Sequence, residues 1–328
     1  MTAQECLTLA KYAFHKAPTG GDDAFYKLLE QSTLHTHKVD SQVTSMIVDT
    51  QFKVYFRDQI VPMSGIGYVA SYPEYRGNGA ASQLMTEILQ ENYKQETIFS
   101  YLAPFSYAFY GQFGYHYVFD QKHYYLNSTD FPRGKKTDLT VKRLSFDQAK
   151  ADLADVHGKA NNNGSLYRQD FEWSYYFEIK KQPLFAIFYQ GEHPTGYVIY
   201  EFKDMTFVIH EMIFLDETAK QAIYRFVSSH AGAFDEISYT APSDSRLEAD
   251  MLEPSQAKIS LLPYMMARIV NLKAFLKHFP IKENKQFTII DDILPENNLS
   301  FGEGEKVTMT IGEFTKYVMR DVILREYF

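Results

Sequence analysis

The spacing of apolar residues predicts a chain in which strands and helices are mixed. Residues 66–71 have the composition of a half-buried strand, and apolar residues at Leu84 and Ile88 recur at the spacing of a helix. Between them lies the segment Tyr72-Pro-Glu-Tyr-Arg-Gly-Asn-Gly-Ala-Ala-Ser82. The pattern therefore predicts a strand, a glycine-containing turn and a helix, and the first part of the chain is arranged around this turn.

Other elements are predicted on both sides of the turn. Two helices and two strands precede it, and a strand, the two strands of a hairpin and a turn-rich boundary follow it. In chain order these segments are 2–16, 24–31, 43–48, 52–56, 98–101, 113–119, 123–126 and 127–134. No strand is predicted before the first helix. We expect residues 1–134 to form a first domain.

Residues 135–258 repeat the same order of elements. Strands, a helix and a further strand are predicted at 184–189, 196–202, 207–215, 216–229 and 236–239. The turn into this helix contains Asp216 and Glu217 and no glycine, so carboxylates stand where a bound anion would need donors. The polar run at 161–165 is predicted to be a surface loop. We therefore expect a second domain of the same kind that lacks the anion site.

Residues 259–328 are predicted to form a third, shorter domain. It has a strand at 287–291, a turn at 302–305 and an amphipathic helix at 311–324. The predicted fold class is α+β, with mixed sheets in the two larger domains.

Composition narrows the possible classes of function. The chain has 328 residues and a formal net charge of −8, which argues against a binder of duplex nucleic acid and mildly favours a cationic small-molecule partner. Aromatic residues make up 16% of the chain and are expected mainly in the core. No signal peptide is evident, nor an apolar stretch long enough to span a bilayer, so we expect a cytoplasmic protein without a membrane partner.

Neither cysteine chemistry nor metal chemistry is expected. Cys6 is the only cysteine, which excludes an internal disulfide, and no basic residue before Lys11 would lower its pKa. His35 and His37 could be read as a metal pair, but without a nearby third ligand they are expected to be solvated loop residues.

The turn at Gly77 and Gly79 is the main candidate for a binding site. Glycine permits backbone conformations closed to other residues, and the first N–H groups of the following helix point into the turn. Such a turn suits a phosphate-bearing ligand, with Arg76 as a positive charge at its mouth. A Walker loop would end in Gly-Lys-Ser/Thr, which does not occur here. A dinucleotide-binding pattern can be placed on residues 65–70, but that pattern opens a helix, and Ser-Tyr-Pro follows here.

A second motif, Leu102-Ala-Pro-Phe-Ser-Tyr-Ala-Phe-Tyr-Gly-Gln-Phe-Gly-Tyr115, lies one helix and one strand further along the chain. It resembles the Phe-Tyr-x-x-x-Gly-Tyr/Phe signature of the GNAT acetyltransferases. The segment Arg76-Gly-Asn-Gly-Ala-Ala81 is similar to their Arg/Gln-x-x-Gly-x-Gly/Ala loop if one spacer is absorbed into the turn. Residues 69–77 and 109–115 resemble more narrowly the Eis-like branch, the enhanced intracellular survival proteins.

The resemblance implies an acetyl-CoA site between two parallel strands that splay apart. Val69, Ala70 and Ser71 would pair with the pantetheine arm, and one of their N–H groups would polarise the acetyl carbonyl. Phe105 and Ser106 would line the CoA channel. The turn would bind the pyrophosphate through Arg76, Gly77, Asn78, Gly79, Ala80, Ala81 and Ser82.

The resemblance also implies roles in proton transfer. Tyr110 would be the general acid, since a phenol with a pKa near 10 stays protonated at neutral pH. The base would be the terminal carboxylate of Phe328, because in the Eis family the chain's own terminus reaches the active site; the alternative is a frayed terminus. Glu326 and Glu211 are further candidates for the base.

The resemblance predicts an N-acetyltransferase that moves an acetyl group from acetyl-CoA directly to an amine. The acceptor would be an aminoglycoside-like or polyamine-like cation or a lysine side chain, and no metal is needed. Two GNAT-like domains, 1–134 and 135–258, would precede a shortened sterol-carrier-like domain at 259–328. A homo-oligomer, by resemblance a hexamer, is expected. Two other classes stay open: a non-catalytic acyl-CoA-binding or regulatory protein, and a structural protein that binds no acetyl-CoA.

Overall fold

A computed structural model describes residues 2–160 and 162–326 of the chain. Its α-helices in these ranges are α1 (Thr2–Phe14), α2 (Gly21–Leu29), α3 (Ala80–Lys94), α4 (Tyr107–Gly111), α5 (Phe146–Lys159), α6 (Asp170–Ser174), α7 (Glu217–Ser228), α8 (Leu272–His278) and α9 (Ile311–Val318). Its strands there are β1 (Ser32–Val39), β2 (Gln42–Phe56), β3 (Gln59–Ser71), β4 (Phe99–Leu102), β5 (His116–Asn127), β6 (Thr140–Leu144), β7 (Leu184–Gln190), β8 (His193–Lys203), β9 (Thr206–Phe214), β10 (Glu236–Pro242), β11 (Lys258–Ile269), β12 (Lys285–Ile290), β13 (Ser300–Phe301) and β14 (Glu305–Thr310).

The chain forms two compact units, each built from two segments. Unit 1 contains Met1–Phe119 and Tyr264–Val322, and unit 2 contains Asp120–Pro263 and Ile323–Phe328. The C-terminal segment Tyr264–Val322 is therefore part of unit 1. The predicted domain division at residues 134 and 258, and the sterol-carrier-like character of the last part, stay predictions.

In unit 1, helices cover both faces of a sheet with the order β1-β2-β3-β4-β11. Successive residues of a strand point to opposite faces. Accordingly, Met46 packs with α1 and α2, whereas Ile47 packs with α3 and with the residues around α4. The C-terminal segment adds β11 beside β4 in antiparallel register and a three-stranded sheet with the order β13-β12-β14.

Unit 2 has the strand order β5-β10-β9-β8-β7-β6. Strands β9 and β10 are parallel and are connected by α7, as β3 and β4 in unit 1 are parallel and connected by α3. The repeat predicted from the order of elements is therefore present in the structure. The aromatic core of this unit includes Tyr124, Phe188, Tyr200 and Phe207.

Several predicted elements are corrected by the structure. The hairpin predicted at 113–119 and 123–126 is a single strand, β5, and the two strands at 43–48 and 52–56 are one strand, β2. The helix predicted at 311–324 ends at Val318. His35 and His37 lie on β1 and not in a loop.

The loop predicted at 161–165 is not simply a surface loop. Asn162 and Ser165 are buried. The Ser165 hydroxyl accepts from the Arg325 amide at 3.0 Å, and the Asn162 side-chain amide donates to the His157 carbonyl. A short polar run therefore did not indicate exposure here. Asn161 lies outside the described residues.

Candidate active site

Strands β3 and β4 separate at the point where the binding site was predicted. They pair in parallel from Met63 with Phe99 to Ile66 with Leu102. Strand β3 continues to Ser71, but among the described residues no β4 residue pairs with 67–71. Backbone groups on this edge of β3 are therefore open to a ligand that adds to the sheet as a strand would.

An extra residue is inserted in β3 within this open part. Ala70 lies opposite Met46 and Gly67 lies opposite Val48, so three steps on β3 match two on β2. Tyr68, inside this bulge, has a φ of 50°. A bulge leaves one residue out of the ladder and turns its backbone groups to a new direction. This bulge was not predicted, although the glycines at 65 and 67 within a strand pattern are a known signal for one.

The three predicted pantetheine-binding residues lie at this end of β3. Val69 packs against the core on the α3 side, and Ala70 is buried on the other face of the sheet. The Ser71 hydroxyl donates to the Ser45 hydroxyl at 2.8 Å. Their side chains are thus engaged in packing or bonding within unit 1, which leaves the main chain as the part of these residues that a ligand could use.

The glycine turn has the backbone geometry that the sequence predicted. Gly77 and Gly79 have φ values of 81° and 80°, in the left-handed region, and a Cβ on either would meet no heavy atom within 4 Å. Gly79 is the N-cap of α3, and no side chain caps this end. The first amides of α3, at Ala80, Ala81 and Ser82, have no partner within the helix. The turn can therefore offer several N–H groups to an anion at the positive end of the helix dipole.

Arg76 and Asn78 are exposed beside these amides. The Arg76 Nε donates to the Ser71 carbonyl at 3.4 Å, which links the turn to the end of β3. The guanidinium thus lies between the open strand edge and the helix start. This arrangement suits a ligand that carries a phosphate at one end and an extended chain at the other.

Tyr110 lies on α4, directly after β4. The Ser106 hydroxyl caps this short helix by accepting from the Phe109 amide at 3.2 Å. The Tyr110 side chain is 2% exposed and packs against Phe105 and Tyr115, with ring centroids 5.2 and 6.2 Å away. Burial raises the pKa of Tyr110 above its ordinary value. The expectation of a phenol with an ordinary pKa is therefore corrected.

Phe105 and Ser106, predicted to line the CoA channel, both lie beside Tyr110. Phe105 is 68% exposed although it is apolar. Ser106 uses its hydroxyl to cap α4, so its side chain has a local structural task. An exposed phenylalanine next to the open end of β4 is the kind of apolar surface that a ligand would cover.

A chain of buried hydrogen bonds runs across the sheet from the Tyr110 region. The Tyr115 and Ser100 hydroxyls are 2.6 Å apart, and the Ser100 hydroxyl is 3.4 Å from that of Ser64. The Ser64 hydroxyl donates to Asp49 at 2.6 Å, and Asn92 donates to the other Asp49 oxygen at 2.8 Å. Burial raises the pKa of Asp49, although these bonds oppose the change. No local pattern in the sequence indicates this network, since its members are far apart in the chain.

Unit 2 has the same strand geometry as unit 1, but a side chain caps the start of its corresponding helix. Strand β9 also carries an extra residue, His210, between Ile209 and Glu211. At the start of α7, however, the Asp216 carboxylate accepts from the Ala219 amide at 2.7 Å. The protein's own carboxylate therefore takes the place that an anionic ligand would occupy, as the sequence indicated.

Two of the candidate bases belong to a buried ion cluster in unit 2. The fully buried guanidinium of Arg168 donates to Glu211 at 2.9 and 2.5 Å and to Glu326, through Nε, at 2.8 Å. Glu326 also accepts from the Leu166 amide, and Glu211 from the Tyr197 hydroxyl at 2.5 Å. Burial alone would raise the pKa of Glu211, but the charge and hydrogen bonds of Arg168 hold it below its ordinary value.

Both carboxylates of this cluster are thus committed to Arg168. Because the pKa of Glu211 is held low, Glu211 is a poor acceptor for the proton of an amine, and the oxygens of Glu326 already accept from Arg168 and from the Leu166 amide. The third candidate base, the terminal carboxylate of Phe328, lies outside the described residues.

A cleft of about 490 Å³ lies beside α4 in unit 1. Among the described residues, its lining contains no lysine or arginine. The tyrosines and carboxylates of the lining are Tyr107, Tyr115, Tyr117, Asp291, Asp292 and Glu313. Asp291 is paired with Arg268, so the negative charge of this lining comes from Asp292 and Glu313, and this charge suits a cationic ligand.

The remaining predictions about chemistry concern Cys6, metals and membranes. Cys6 is buried, and burial, with the charge of Glu5, raises its pKa to about 11, which does not suit a nucleophile. Within residues 2–160 and 162–326, no three His, Cys, Asp or Glu side chains are grouped so that they could hold a metal ion. None of the helices in these ranges is both long and apolar enough to cross a membrane.

Comparison with known proteins places this geometry in a family. Residues 2–118 and residues 164–269 each match a family described as an acetyltransferase (GNAT) domain. Among curated proteins, no match was found.

Solved structures agree with this assignment. A conserved protein of unknown function from Enterococcus faecalis V583, described as a probable N-acyltransferase, is 31% identical, with a TM-score of 0.91 over 99% of this chain and 97% of its own. A GCN5-related N-acetyltransferase from Anabaena variabilis is 20% identical, with a TM-score of 0.84 over 95% and 86% of the two chains. Eis1 from Mycobacterium abscessus is 16% identical, with a TM-score of 0.80 over 99% and 92%, and so shares the fold. The chain therefore belongs to the GNAT acetyltransferases, as an acyltransferase with two GNAT domains in tandem and an Eis-like fold.

Proposed function

We propose that the chain transfers an acetyl group from acetyl-CoA directly to an amine, and that unit 1 alone binds the donor. The observation that carries this proposal is the separation of β3 from β4 after Ile66 and Leu102, with an uncapped helix start at one side and Tyr110 at the other. In unit 2 the Asp216 carboxylate closes the corresponding helix start. The two units therefore differ at the feature that a CoA pyrophosphate needs.

The donor would be held mainly by backbone groups. The amides from Gly77 to Ser82, with Arg76 and Asn78, would bind the pyrophosphate, and the open edge of Val69, Ala70 and Ser71 would pair with the pantetheine arm. The bulge at Tyr68 supports this role, because it frees an N–H group that can donate to the thioester carbonyl oxygen as negative charge develops there.

The reaction needs little covalent help from the protein. The neutral amine attacks the thioester carbonyl carbon, so that a C–N bond forms and the C–S bond breaks, and the electron pair leaves with sulfur. One amine proton passes to a base, and the thiolate takes up a proton to give free CoA. The protein accelerates these steps by holding the reactants together and by stabilising the charges that develop.

The raised pKa of Tyr110 favours a role as hydrogen-bond donor over a role as an acid that gives up its proton completely. A thiol has a pKa of about 8.5 and an ordinary phenol one of about 10, so complete proton transfer from tyrosine to thiolate is already unfavourable. Burial raises the pKa of Tyr110 further. We therefore assign Tyr110 a hydrogen bond to the departing sulfur, which stabilises the thiolate while the phenol keeps its proton for most of the step.

The proposed base is the terminal carboxylate of Phe328. Two observations support it: the bonds of Arg168 engage both Glu211 and Glu326, and they anchor Glu326, two residues before Phe328, in unit 2. A carboxylate near the acceptor amine could take its proton directly or through water.

The proposed acceptor is a small cation with a primary amine, aminoglycoside-like or polyamine-like, or a lysine side chain. The net charge of −8 and the carboxylates of the cleft beside α4 support a cationic acceptor. By resemblance to the Eis-like proteins, we also propose a homo-oligomer, with a hexamer as the first state to test, and a shortened sterol-carrier-like character for the last part of the chain.

The test of the proposed function is release of free CoA from acetyl-CoA in the presence of polyamines, aminoglycosides and lysine peptides, alongside calorimetric titration with acetyl-CoA. Saturable binding with release that depends on one class of amine supports the proposal and identifies the acceptor. Saturable binding without release on any amine would favour the non-catalytic acyl-CoA-binding protein. No saturable binding would favour a structural protein.

The role of Tyr110 is tested by Tyr110→Phe, which keeps the ring and removes the hydroxyl. We expect acetyl-CoA to bind with unchanged affinity and kcat to fall by about 10- to 1,000-fold, as when one donor to a developing charge is lost. Phe109→Tyr is a control, because it adds a hydroxyl on the same helix without replacing the proposed donor. Unchanged turnover by Tyr110→Phe would remove this residue from the mechanism.

A further inference from the structure

We propose that Arg268, in the C-terminal segment of unit 1, is a positioning residue for Tyr110. This inference rests on the proposed function of Tyr110 and explains what the C-terminal segment contributes to it. Among the described residues, Arg268 donates hydrogen bonds to Phe113, Ile269 and Asp291, and not to the open edge of β3 or to the glycine turn. It acts on the turn that follows α4, through the backbone carbonyl of Phe113.

The turn after α4 fixes the backbone of Tyr110. The Tyr110 carbonyl accepts from the Phe113 amide at 3.0 Å and from the Tyr115 amide at 3.4 Å, and the Gly114 amide donates to the Gly111 carbonyl at 3.1 Å. Helix α4 has only five residues. Because so short a helix is marginal by itself, its orientation depends on the bonds of this turn.

Arg268 holds this turn from the C-terminal segment. Its side chain is fully buried, and Nη1 donates to the Phe113 carbonyl. Its Nη2 donates to Asp291 at 2.5 Å, and its Nε to the Ile269 carbonyl at 3.2 Å. The guanidinium therefore joins β11, the segment around Asp291 and the turn after α4. Lysine has no planar fork and cannot reproduce this set of bonds.

Asp291 is itself held in place. One of its oxygens accepts from the Ile293 and Leu294 amides, each at 3.1 Å, and the other accepts from Asn297 at 2.9 Å. The ion pair with Arg268 is thus part of a fully bonded network. A network of this kind has a single favoured geometry and can impose it on the carbonyl of Phe113.

Close packing on the turn adds to this constraint. Gly114 has a φ of 74°, and a Cβ there would lie 2.7 Å from the Ile311 Cγ2 and 3.1 Å from the Arg268 Nη1. From the other side, a Cβ on Gly312 would lie 3.0 Å from the Gly114 carbonyl oxygen. The C-terminal segment therefore packs against the carbonyl groups of Phe113 and Gly114 and against the α-carbon of Gly114. These contacts hold the turn in one conformation.

The same strand also supports the residue beside Tyr110. Arg268 lies opposite Ser100 in the register of β11 and β4, and the Ser100 hydroxyl is 2.6 Å from that of Tyr115. Tyr115 in turn packs against Tyr110. Loss of the Arg268 bonds would therefore free the turn without removing the contacts that keep the two tyrosines in the core.

The test uses the full chain with 3-fluorotyrosine placed at position 110, whose ¹⁹F resonance reports the surroundings of that ring without any need for turnover. We compare Arg268→Lys, which keeps the charge next to Asp291, and Gly114→Ala, which disturbs the same turn through a different contact. The control is Phe275→Leu, a buried change in the same segment whose ring packs against Phe56 and Phe99. Acetyl-CoA affinity and kcat are measured on the unlabelled variants.

We expect Arg268→Lys and Gly114→Ala to shift or broaden the ¹⁹F resonance and to lower kcat by about 10- to 100-fold, the effect of a displacement of about 1 Å, with acetyl-CoA affinity unchanged. Phe275→Leu should lower the melting temperature and leave both readouts as in the wild type. A wild-type resonance in Arg268→Lys and Gly114→Ala would overturn the proposal. A changed resonance with unchanged kcat would support the positioning by Arg268 and count against Tyr110 in the proposed function, so the two failures are distinguishable.

Discussion

Replacement of Gly79 by alanine tests the proposed pyrophosphate site with little disturbance elsewhere. Gly79 has a φ of 80° and precedes α3, and a Cβ there would meet no protein atom within 4 Å. The substitution therefore costs only the strain of a left-handed non-glycine residue, about 1–2 kcal/mol. Under the proposed function, however, the added methyl group lies beside the amides that would bind the pyrophosphate.

The expected loss of affinity follows from the N–H groups that line this space. A hydrogen bond from an amide to a charged acceptor contributes about 1.5–3 kcal/mol. If the methyl group or a relaxation of the turn removes one such bond, the Kd for acetyl-CoA rises about 10- to 150-fold. The first amides of α3 have no acceptor within the helix, so nothing in the helix ladder compensates for the loss.

Gly191→Ala is the matched control for this experiment. Gly191 lies between β7 and β8 in unit 2 with a φ of 63°, and a Cβ there also meets nothing within 4 Å. Both variants should lose similar stability in thermal unfolding, and calorimetric titration should show weaker acetyl-CoA binding only for Gly79→Ala. Equal Kd values for the two variants would refute the assignment of the turn to the pyrophosphate.

Three further predictions concern unit 2 and the chain end. One residue added after Phe328 should lower kcat and leave acetyl-CoA affinity intact if the terminal carboxylate is the base; wild-type turnover in a steady-state assay would exclude it. Arg168→Met should destabilise the protein by about 3–5 kcal/mol in urea unfolding, because it leaves Glu211 and Glu326 buried without a counter-charge, whereas the triple variant with Glu211→Gln and Glu326→Gln should recover most of this loss. Without that recovery, an ion-pair origin of the effect is wrong. Because the folded pKa of Glu211 is depressed, its contribution to stability is present above its unfolded pKa of about 4.3 and is lost as the pH falls through the folded pKa. Glu211→Gln should weaken this acid dependence, and an identical dependence in wild type and variant would contradict it.

Local patterns in the sequence were sufficient to predict the backbone of the glycine turn and the starts of α3 and α7. The helical spacing of Leu84 and Ile88 predicted α3, and the glycines at 77 and 79 predicted a turn that needs positive φ values, which both residues have. Asp216, predicted at the start of the second helix, is its N-cap. These features depend on neighbours within one or two turns of the chain, and such neighbours are visible in the sequence itself.

Element boundaries were less predictable where polar residues lie within strands. The polar run at Asp120 to Lys122 suggested a turn between two strands, but these residues belong to the single strand β5, where Lys122 bonds the Ser245 carbonyl at 2.6 Å. Ser165 is buried for a similar reason, since Arg325 satisfies its hydroxyl. In each case a partner more than 100 residues away compensates for a polarity that locally favours exposure.

The sequence alone therefore determined the family, the strand, turn and helix around Gly77 and Gly79, and the placement of Tyr110 after β4, because each depends on a short contiguous pattern. The tertiary structure alone decided that Glu211 and Glu326 share Arg168, that Asp49 is linked to Tyr115 through two serines, and that Arg268 bonds the carbonyl of Phe113. In the first and last cases, the bonded residues are separated by 43 to 158 positions in the chain. Burial makes such bonds strong and obligatory, but their partners are chosen by how the strands and helices pack, and no local pattern encodes that choice.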